Sequence, residues 1–568
     1  MKIYTQLQDT IELCLPELIG AEFDFQPAPE NQPGDIGLAC FRFAKQLKIA
    51  PPQVAAKIAA LDFPEIIATV EQAGPYVNFT LDRTAFATDL VDDVIESGEK
   101  FGSANIGNGT PVLLEHTSIN PNASPHIGRA RNGLIGDSLT RLLKFEGYDV
   151  DVHYYVNDMG KQIGLLALEI EGEGTLSFDD VLDKYVAANK RAKDDPEFEK
   201  RGFELLMKME NGDTEVKDTF TEIVDICLTG QLQVLSRLGL KYDTFDREST
   251  FLTDPRMDEV MNMLREKKAL FIDEDKRTVV DLEKLGWERD EGRYIVLMRA
   301  NGSSMYMYRD IAYTLEKIAR AEGHNYIVLG EDHKMYFEQL ALIVKAMDHT
   351  PPEAIFYNYI LLREGKMSTR QGTVVLLSDF LDEVTSRARD KVIEQWPDMP
   401  EKEQAEIARM IGIGAVRFTI LSVKPNKNVI FDWDEALSFT GDSGPYIQYS
   451  CTRIASILRK YSGSDSVDEI PTPSGPVVIT HDAEWSLLTR LARLEQDITT
   501  AFEQPNLALL ATAAVDIARR FSAFYNACSV LNAETDEIKE SRIAICMAVR
   551  QALINLLGIL GIEAPEKM

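Results

Sequence analysis

The sequence predicts a Rossmann-like α/β fold. A doubly wound parallel domain carrying a helical insertion lies between an N-terminal α+β domain and a C-terminal all-α helical bundle. Three observations lead there. The short apolar run Pro111–Leu114 enters an Asn-rich loop and then a helical stripe: Ala130, Leu134, Ile135, Leu139, Leu142 and Leu143, ending at Gly147. Val150, Val152 and Tyr154 then alternate, which completes a strand–helix–strand unit of a parallel sheet. From Glu403 onward the apolar pattern reads as mostly helix.

Residues 1–105 read as the N-terminal domain. Helical spacing shows at Phe41, Phe43, Ala44 and Leu47, and again at Val54, Ala55, Ile58 and Leu61. Gly74-Pro75 reads as a turn and Tyr76–Phe79 as a strand, and Gly102, Gly107, Gly109 and Pro111 mark a linker. The central domain spans 106–440, with a charged helical insertion at about 170–240. Sheet-like runs resume at Thr278–Leu282, Tyr294–Arg299, Tyr326–Gly330 and Ile355–Leu362. Residues 441–568 form the helical domain, with a loop marked by Pro471, Pro473, Gly475 and Pro476.

A chain of 568 residues has room for three or four such domains, and 45% hydrophobic with 27% charged residues is ordinary for a soluble protein. No apolar run reaches the roughly 18 residues of a membrane span. The start lacks a secretory signal stretch, so no membrane partner and a cytoplasmic location are expected. Six cysteines without a Cys-x-x-Cys pair point to reduced thiols, not to a metal site or disulfides. The net charge of −31 argues only weakly against a nucleic-acid partner, because affinity for phosphates depends on local Lys and Arg. Residues 441–568 hold 11 basic against 16 acidic side chains and are less acidic than the rest.

Two motifs carry chemistry. In Ser124-Pro125-His126-Ile127-Gly128, the glycine admits a phosphate chain close to the backbone. The helix-start imidazole can donate to charge developing on a transferring phosphorus. The plain alternative is a helix-capping histidine. In Gly365-Lys366-Met367-Ser368-Thr369-Arg370, Lys366 can neutralise polyphosphate; alone, such a stretch is more often a solvated basic turn. Their order on either side of a doubly wound pattern favours one nucleotide cleft.

His-x-Gly followed by Lys-Met-Ser resembles the two hallmarks of class I aminoacyl-tRNA synthetases. Glu115–Asn122, Arg131-Asn132, Asn157-Asp158-x-Gly160-x-Gln162, Tyr306–Asp310, Gly441–Tyr449 and the terminal Gly561–Met568 narrow the resemblance to the arginyl-tRNA synthetase family. The match runs essentially end to end, and Gly74–Phe79 is similar to a segment of the family's extra N-terminal domain. The resemblance implies attack of L-arginine on the α-phosphorus of ATP, with Mg2+ accompanying ATP. The arginyl group then passes to the 2′-hydroxyl of the terminal adenosine of tRNA(Arg). It implies tRNA binding before arginine activation, and a monomer.

It assigns ATP to His126, Gly128, Arg129, Lys366, Met367 and Ser368, and the backbone end of arginine to Glu115, Ser118 and Asn120. Tyr306 and Asp310, i and i+4 at a helix start, offer a ring and a carboxylate to the planar guanidinium. Without the resemblance, Asp310 is equally a helix-start carboxylate. Tyr446, Gln448, Arg453 and Tyr525 are the candidate tRNA contacts. Four positions depart from the family pattern. Arg129 replaces its second His and Thr369 its second Lys, and Arg129 or Arg370 can supply the missing charge. His333 stands where a Gln contacts the guanidinium, and Met159 where a Trp is common. Three other readings stay open at this point: a class I ligase for another amino acid, an inactive tRNA-binding relative, and a metabolic nucleotidyltransferase.

Overall fold

The computed structural model describes residues 2–567 except 29–32, 123, 322, 363–374, 468–469, 472 and 474. The N-terminal unit comprises α1 (Lys2–Cys14), β1 (Phe25–Pro27), β2 (Ile36–Ala39), α2 (Phe41–Leu47), α3 (Pro51–Ala59), β3 (Ile67–Ala73), β4 (Tyr76–Leu81) and α4 (Arg83–Ser97). Its antiparallel sheet has the order β1-β2-β4-β3. The predicted turn joins β3 to β4, and Gly74 there takes φ +62°, which glycine adopts without strain.

The central unit opens with β5 (Pro111–Glu115), α5 (Ile127–Phe145), β6 (Asp149–Val156) and α6 (Lys161–Glu169). The insertion follows as α7 (Phe178–Asp194), α8 (Pro196–Glu210) and α9 (Thr214–Ser236). Next come β7 (Thr244–Arg247), α10 (Arg256–Glu266), β8 (Leu270–Ile272), β9 (Thr278–Asp281), β10 (Tyr294–Met298) and α11 (Tyr306–Arg320). Then follow β11 (Asn325–Gly330), α12 (Lys334–Ala346), β12 (Glu353–Tyr357), β13 (Ile360–Leu362), α13 (Leu377–Gln395), α14 (Glu401–Leu421), β14 (Val429–Phe431) and α15 (Trp433–Ala436).

The main sheet is parallel throughout, in the order β12-β11-β5-β6-β7. Two of the four later sheet-like runs fall outside it. Thr278–Asp281 and Tyr294–Met298 join β8 in a separate antiparallel sheet; the short connection from β8 to β9 is too brief for a parallel crossover, and β10 adds antiparallel to β9. The run 355–362 breaks in two, and β13 pairs with β14 instead. β7 was not foreseen: Thr244–Arg247 is too short to stand out as a pattern, and its pairing with β6 decides it.

α5 lies against the sheet with Ala130, Leu134, Leu142 and Leu143 wholly buried. The bundle consists of α16 (Gly444–Ser462), α17 (Asp482–Leu491), α18 (Leu494–Glu503), α19 (Ala508–Ala527) and α20 (Asp536–Leu560). By length and composition α20 could cross a membrane, yet 72% of its apolar window is buried, against α16 and α19 of the bundle and against α4 and α5. Arg417 of α14, also wholly buried, ties the units together. It donates to the carbonyls of Leu238 and Leu560 (both 2.7 Å) and pairs with Asp137 of α5. Asn555 of α20 donates to the carbonyls of Gly98 and Phe101, which docks the N-terminal linker. All six cysteines are unpaired, five of them buried.

Candidate active site

Several of the sequence-predicted residues that the structure describes lie at the carboxyl ends of the parallel strands, where ligands of doubly wound sheets bind. Glu115 ends β5, and Asn157 and Asp158 follow β6. Glu248 follows β7, and Glu331–His333 follow β11. Glu115 is buried; Lys317 of α11 donates to its Oε2 at 2.5 Å and Ser118 Oγ to its Oε1 at 3.2 Å. The Lys317 ammonium also lies 4.3 Å from the centre of the Tyr313 ring. Asn120 is exposed.

Tyr306 and Asp310 lie one turn apart at the start of α11, as their spacing requires. Tyr306 is 54% exposed and packs at 5.4 Å, tilted by 32°, on Tyr336 of α12. The Tyr336 hydroxyl donates to the Asp310 carboxylate. Asp310 keeps some open surface, but its carboxyl is crowded by Tyr155, Tyr336 and the charge of Glu115. Burial raises its pKa; the Tyr336 hydroxyl opposes this and Glu115 adds to it.

Beneath lies a second carboxylate. Glu248 accepts from Arg309 Nε (2.7 Å) and Nη2 (2.6 Å), while Arg309 Nη1 donates to the Ser304 carbonyl and hydroxyl. Burial pushes Glu248 up to about 7 against the pull of Arg309. His333 is exposed at the end of β11, 3.7 Å from the Asp332 carboxylate.

His126 is the N-cap of α5. A Cβ on Gly128 would lie 2.9 Å from the His126 ring, so glycine there makes room for the imidazole. Burial lowers the His126 pKa, and the charge of Arg129 lowers it further. Lys366, Met367, Ser368, Thr369 and Arg370 lie outside the described residues. Both flanks of that stretch abut the start of α5. Upstream, Arg131 donates to the carbonyls of Asn358 (2.6 Å), Lys424 (3.0 Å) and Lys427 (2.6 Å), pinning the approaches to β13 and β14. Downstream, the Ile127 N–H donates to Val375 O (3.2 Å) and the Leu377 N–H to Pro125 O (2.8 Å). Asn122 reaches Gln162 at 2.7 Å, closing the loop over α6. Met159 is buried, as expected of a packing residue.

The bundle residues lie apart from this cleft. Arg453 sits between the rings of Tyr449 (4.8 Å) and Tyr525 (5.1 Å). They line a groove of about 720 Å³ that Lys460, Asn526 and Asn532 complete. Tyr446 is half-buried, its hydroxyl 3.4 Å from Ala518 O. Gln448 departs from the expected RNA-facing set. It is wholly buried, and its amide donates to the carbonyls of Met410 (3.1 Å) and Glu563 (2.7 Å), so it anchors the C-terminal tail.

Comparison with known proteins narrows the open readings. The family described as tRNA synthetases class I (R), catalytic domain, matches residues 90–433. The arginyl tRNA synthetase N-terminal domain matches 1–81, and the DALR anticodon binding domain matches 447–568. The chain belongs to the arginyl-tRNA synthetase family. The arginine–tRNA ligase of Methanococcoides burtonii is 36% identical over 97% of this chain and 96% of its own length. That of Methanopyrus kandleri is 36% identical over 100% and 97%. The solved Thermus thermophilus arginyl-tRNA synthetase superposes with a TM-score of 0.78 at 27% identity, covering 99% of both chains.

Tyr155, Glu248, Lys317 and Tyr336 of the site escaped the sequence reading. Tyr336 had a usable signal, three residues after His333 at a helix start, hence on the same face. Glu248 had none, since its place depends on β7 joining the sheet.

Proposed function

We infer that the chain attaches L-arginine to tRNA(Arg) at the expense of ATP, through an arginyl-adenylate and transfer to the 2′-hydroxyl of the terminal adenosine. The observation that carries this is the enclosure of Asp310 by Tyr155 and Tyr336, with Tyr306 packed on the Tyr336 ring, close to Glu115 at the end of β5, the strand that leads to His126. A guanidinium is planar, always charged and forked, so one carboxylate and a ring wall match it. Its charge offsets the burial that raises Asp310. Lysine presents a point charge that leaves this acceptor geometry unmet, and a missing buried hydrogen bond costs on the order of 10⁴-fold in discrimination.

Glu115, Ser118 and Asn120 take the amino-acid end of the substrate, and His333 faces the guanidinium from the end of β11. His126, Gly128 and Arg129 take the triphosphate, with Lys366, Met367 and Ser368 closing over it. Mg2+ arrives with ATP, held by phosphate oxygens and water. Arg129, at the helix start, supplies a cation in place of the family's second His. Tyr446, Arg453 and Tyr525 meet the tRNA, and Gln448 supports that surface from within. We assign residues 1–105 and 441–568 to tRNA binding and 106–440 to catalysis, in a cytoplasmic monomer. Arginine-dependent ATP–pyrophosphate exchange, with and without tRNA(Arg), tests the reading. Exchange only with arginine and tRNA is expected; tight tRNA binding with no exchange overturns it.

A further inference from the structure

Thr117 and Ser118 have φ of +73° and +42°. Two successive non-glycine residues in the left-handed region, one of them β-branched, hold only where their surroundings force them to. They follow Glu115 at the end of β5, and the turn they make determines where Ser118 and Asn120 stand.

Four side chains from four separate stretches of the chain fasten this turn. Asn132 of α5 accepts the Thr117 N–H at 2.6 Å, and its own amide is fixed by donation to Val328 O of β11 (2.9 Å). Tyr242, ahead of β7, donates to Thr117 Oγ1 at 2.8 Å, and that oxygen lies 2.8 Å from His116 Nδ1. The Tyr154 hydroxyl on β6 accepts the Ile119 N–H at 3.0 Å; its proton faces Ile119 O and Gln231 Oε1, both at 3.2 Å. Gln231, from α9 of the insertion, donates to Asn120 O at 2.9 Å. Held in this way, Ser118 Oγ accepts the Tyr155 N–H at 3.1 Å and donates to Glu115. A Cβ on Gly136 would lie 2.2 Å from His116 Cγ, so α5 approaches the turn only with glycine there.

We propose that Asn132, Tyr154, Gln231 and Tyr242 are positioning residues for the amino-acid end of arginine, acting through the Thr117–Asn120 turn. Asn132, Tyr154 and Gln231 are buried and the Tyr242 ring is enclosed, so they act through the backbone and not by touching substrate. The inference rests on the reading that Ser118 and Asn120 meet arginine. It gives the insertion a task, since α9 braces the floor of the site.

The test is steady-state pyrophosphate exchange by the full chain with tRNA(Arg), varying arginine and ATP separately. Tyr154→Phe and Tyr242→Phe remove only a hydroxyl, and Asn132→Ala removes the acceptor. In each, the arginine KM rises about tenfold or somewhat less while the ATP KM stays within about twofold. A merely structural role would lower Tm and the active fraction and move both KM values together. An unchanged arginine KM in both hydroxyl deletions, with a working parent, overturns this proposal alone. A parent without arginine-dependent exchange overturns it together with the reading beneath it.

Discussion

At the start of α11, Asp310 sits behind the hydroxyl of Tyr336 and beside Tyr155, crowded enough that burial raises its pKa. In the bundle, Arg453 lies between Tyr449 and Tyr525 in a groove of about 720 Å³. One charge is enclosed and the other is spread over two rings. A small cation told apart from lysine calls for a fixed acceptor with little water around it. A single-stranded RNA loop calls for faces on which bases stack, each contributing modestly. Enclosure should therefore concentrate the binding energy in a few atoms, and the groove should spread it.

The largest effect is expected at Asp310. Asp310→Asn keeps the shape but leaves the substrate guanidinium without its counter-charge, so kcat/KM for arginine falls by roughly 10³-fold. Tm holds or rises, because a buried carboxyl that resists ionisation is replaced by a neutral amide. Loss of stability and activity together would contradict the enclosed pocket. Tyr336→Phe removes the hydroxyl that donates to Asp310, and about tenfold is lost in the arginine KM. Pyrophosphate exchange reads both.

Glu248 supplies a pH test. Its folded pKa, raised to about 7, exceeds the ordinary carboxyl value of 4.5. Between the two, the folded state binds more protons than the unfolded one, so its share of stability falls as pH rises through that window. Binding runs the other way. Protonation leaves the charge of Arg309 uncompensated beside the pocket, so the arginine KM rises severalfold from about pH 8 to about pH 6. Glu248→Gln gives a raised KM with a shallower slope, the remainder belonging to Asp310, whose pKa burial also raises; an unchanged slope in that variant assigns the titration away from Glu248.

Local signals in the chain were enough for the order of layers, the βαβ start, the insertion and the helical end. The stripe from Ala130 to Leu143 and the stop at Gly147 settle α5 without any long-range contact. What escaped depends on pairing. Thr278–Asp281 looks like any sheet strand until its antiparallel partners are known, and β7 has too few residues to show a period. The Tyr306–Asp310 spacing was legible because a helix turn fixes it. Lys317 beside Glu115 joins residues 202 apart, and no local pattern announces that contact. Gln448 misled for a related reason: a polar residue in a motif reads as exposed, whereas here its amide nitrogen is buried between α14 and the C-terminal tail and donates to the carbonyls of Met410 and Glu563.

The smallest effect separates the two regions most cleanly. Tyr525 is 41% exposed and forms one wall of the Arg453 groove. Tyr525→Ala removes one stacking face and frees the guanidinium, yet Tyr449 still holds Arg453, also through the 3.1 Å bond from Arg453 Nη2 to its hydroxyl. The KM for tRNA should rise only about fivefold, the low end for a base–aromatic contact. The arginine KM at saturating tRNA should not move, since nothing at Asp310 has changed. Combining Tyr525→Ala with Tyr449→Ala should deepen the loss on the tRNA side alone, by a further fewfold. If arginine KM shifts with the tRNA KM in either variant, the groove and the pocket are not separate devices, and the contrast between enclosed and spread recognition fails.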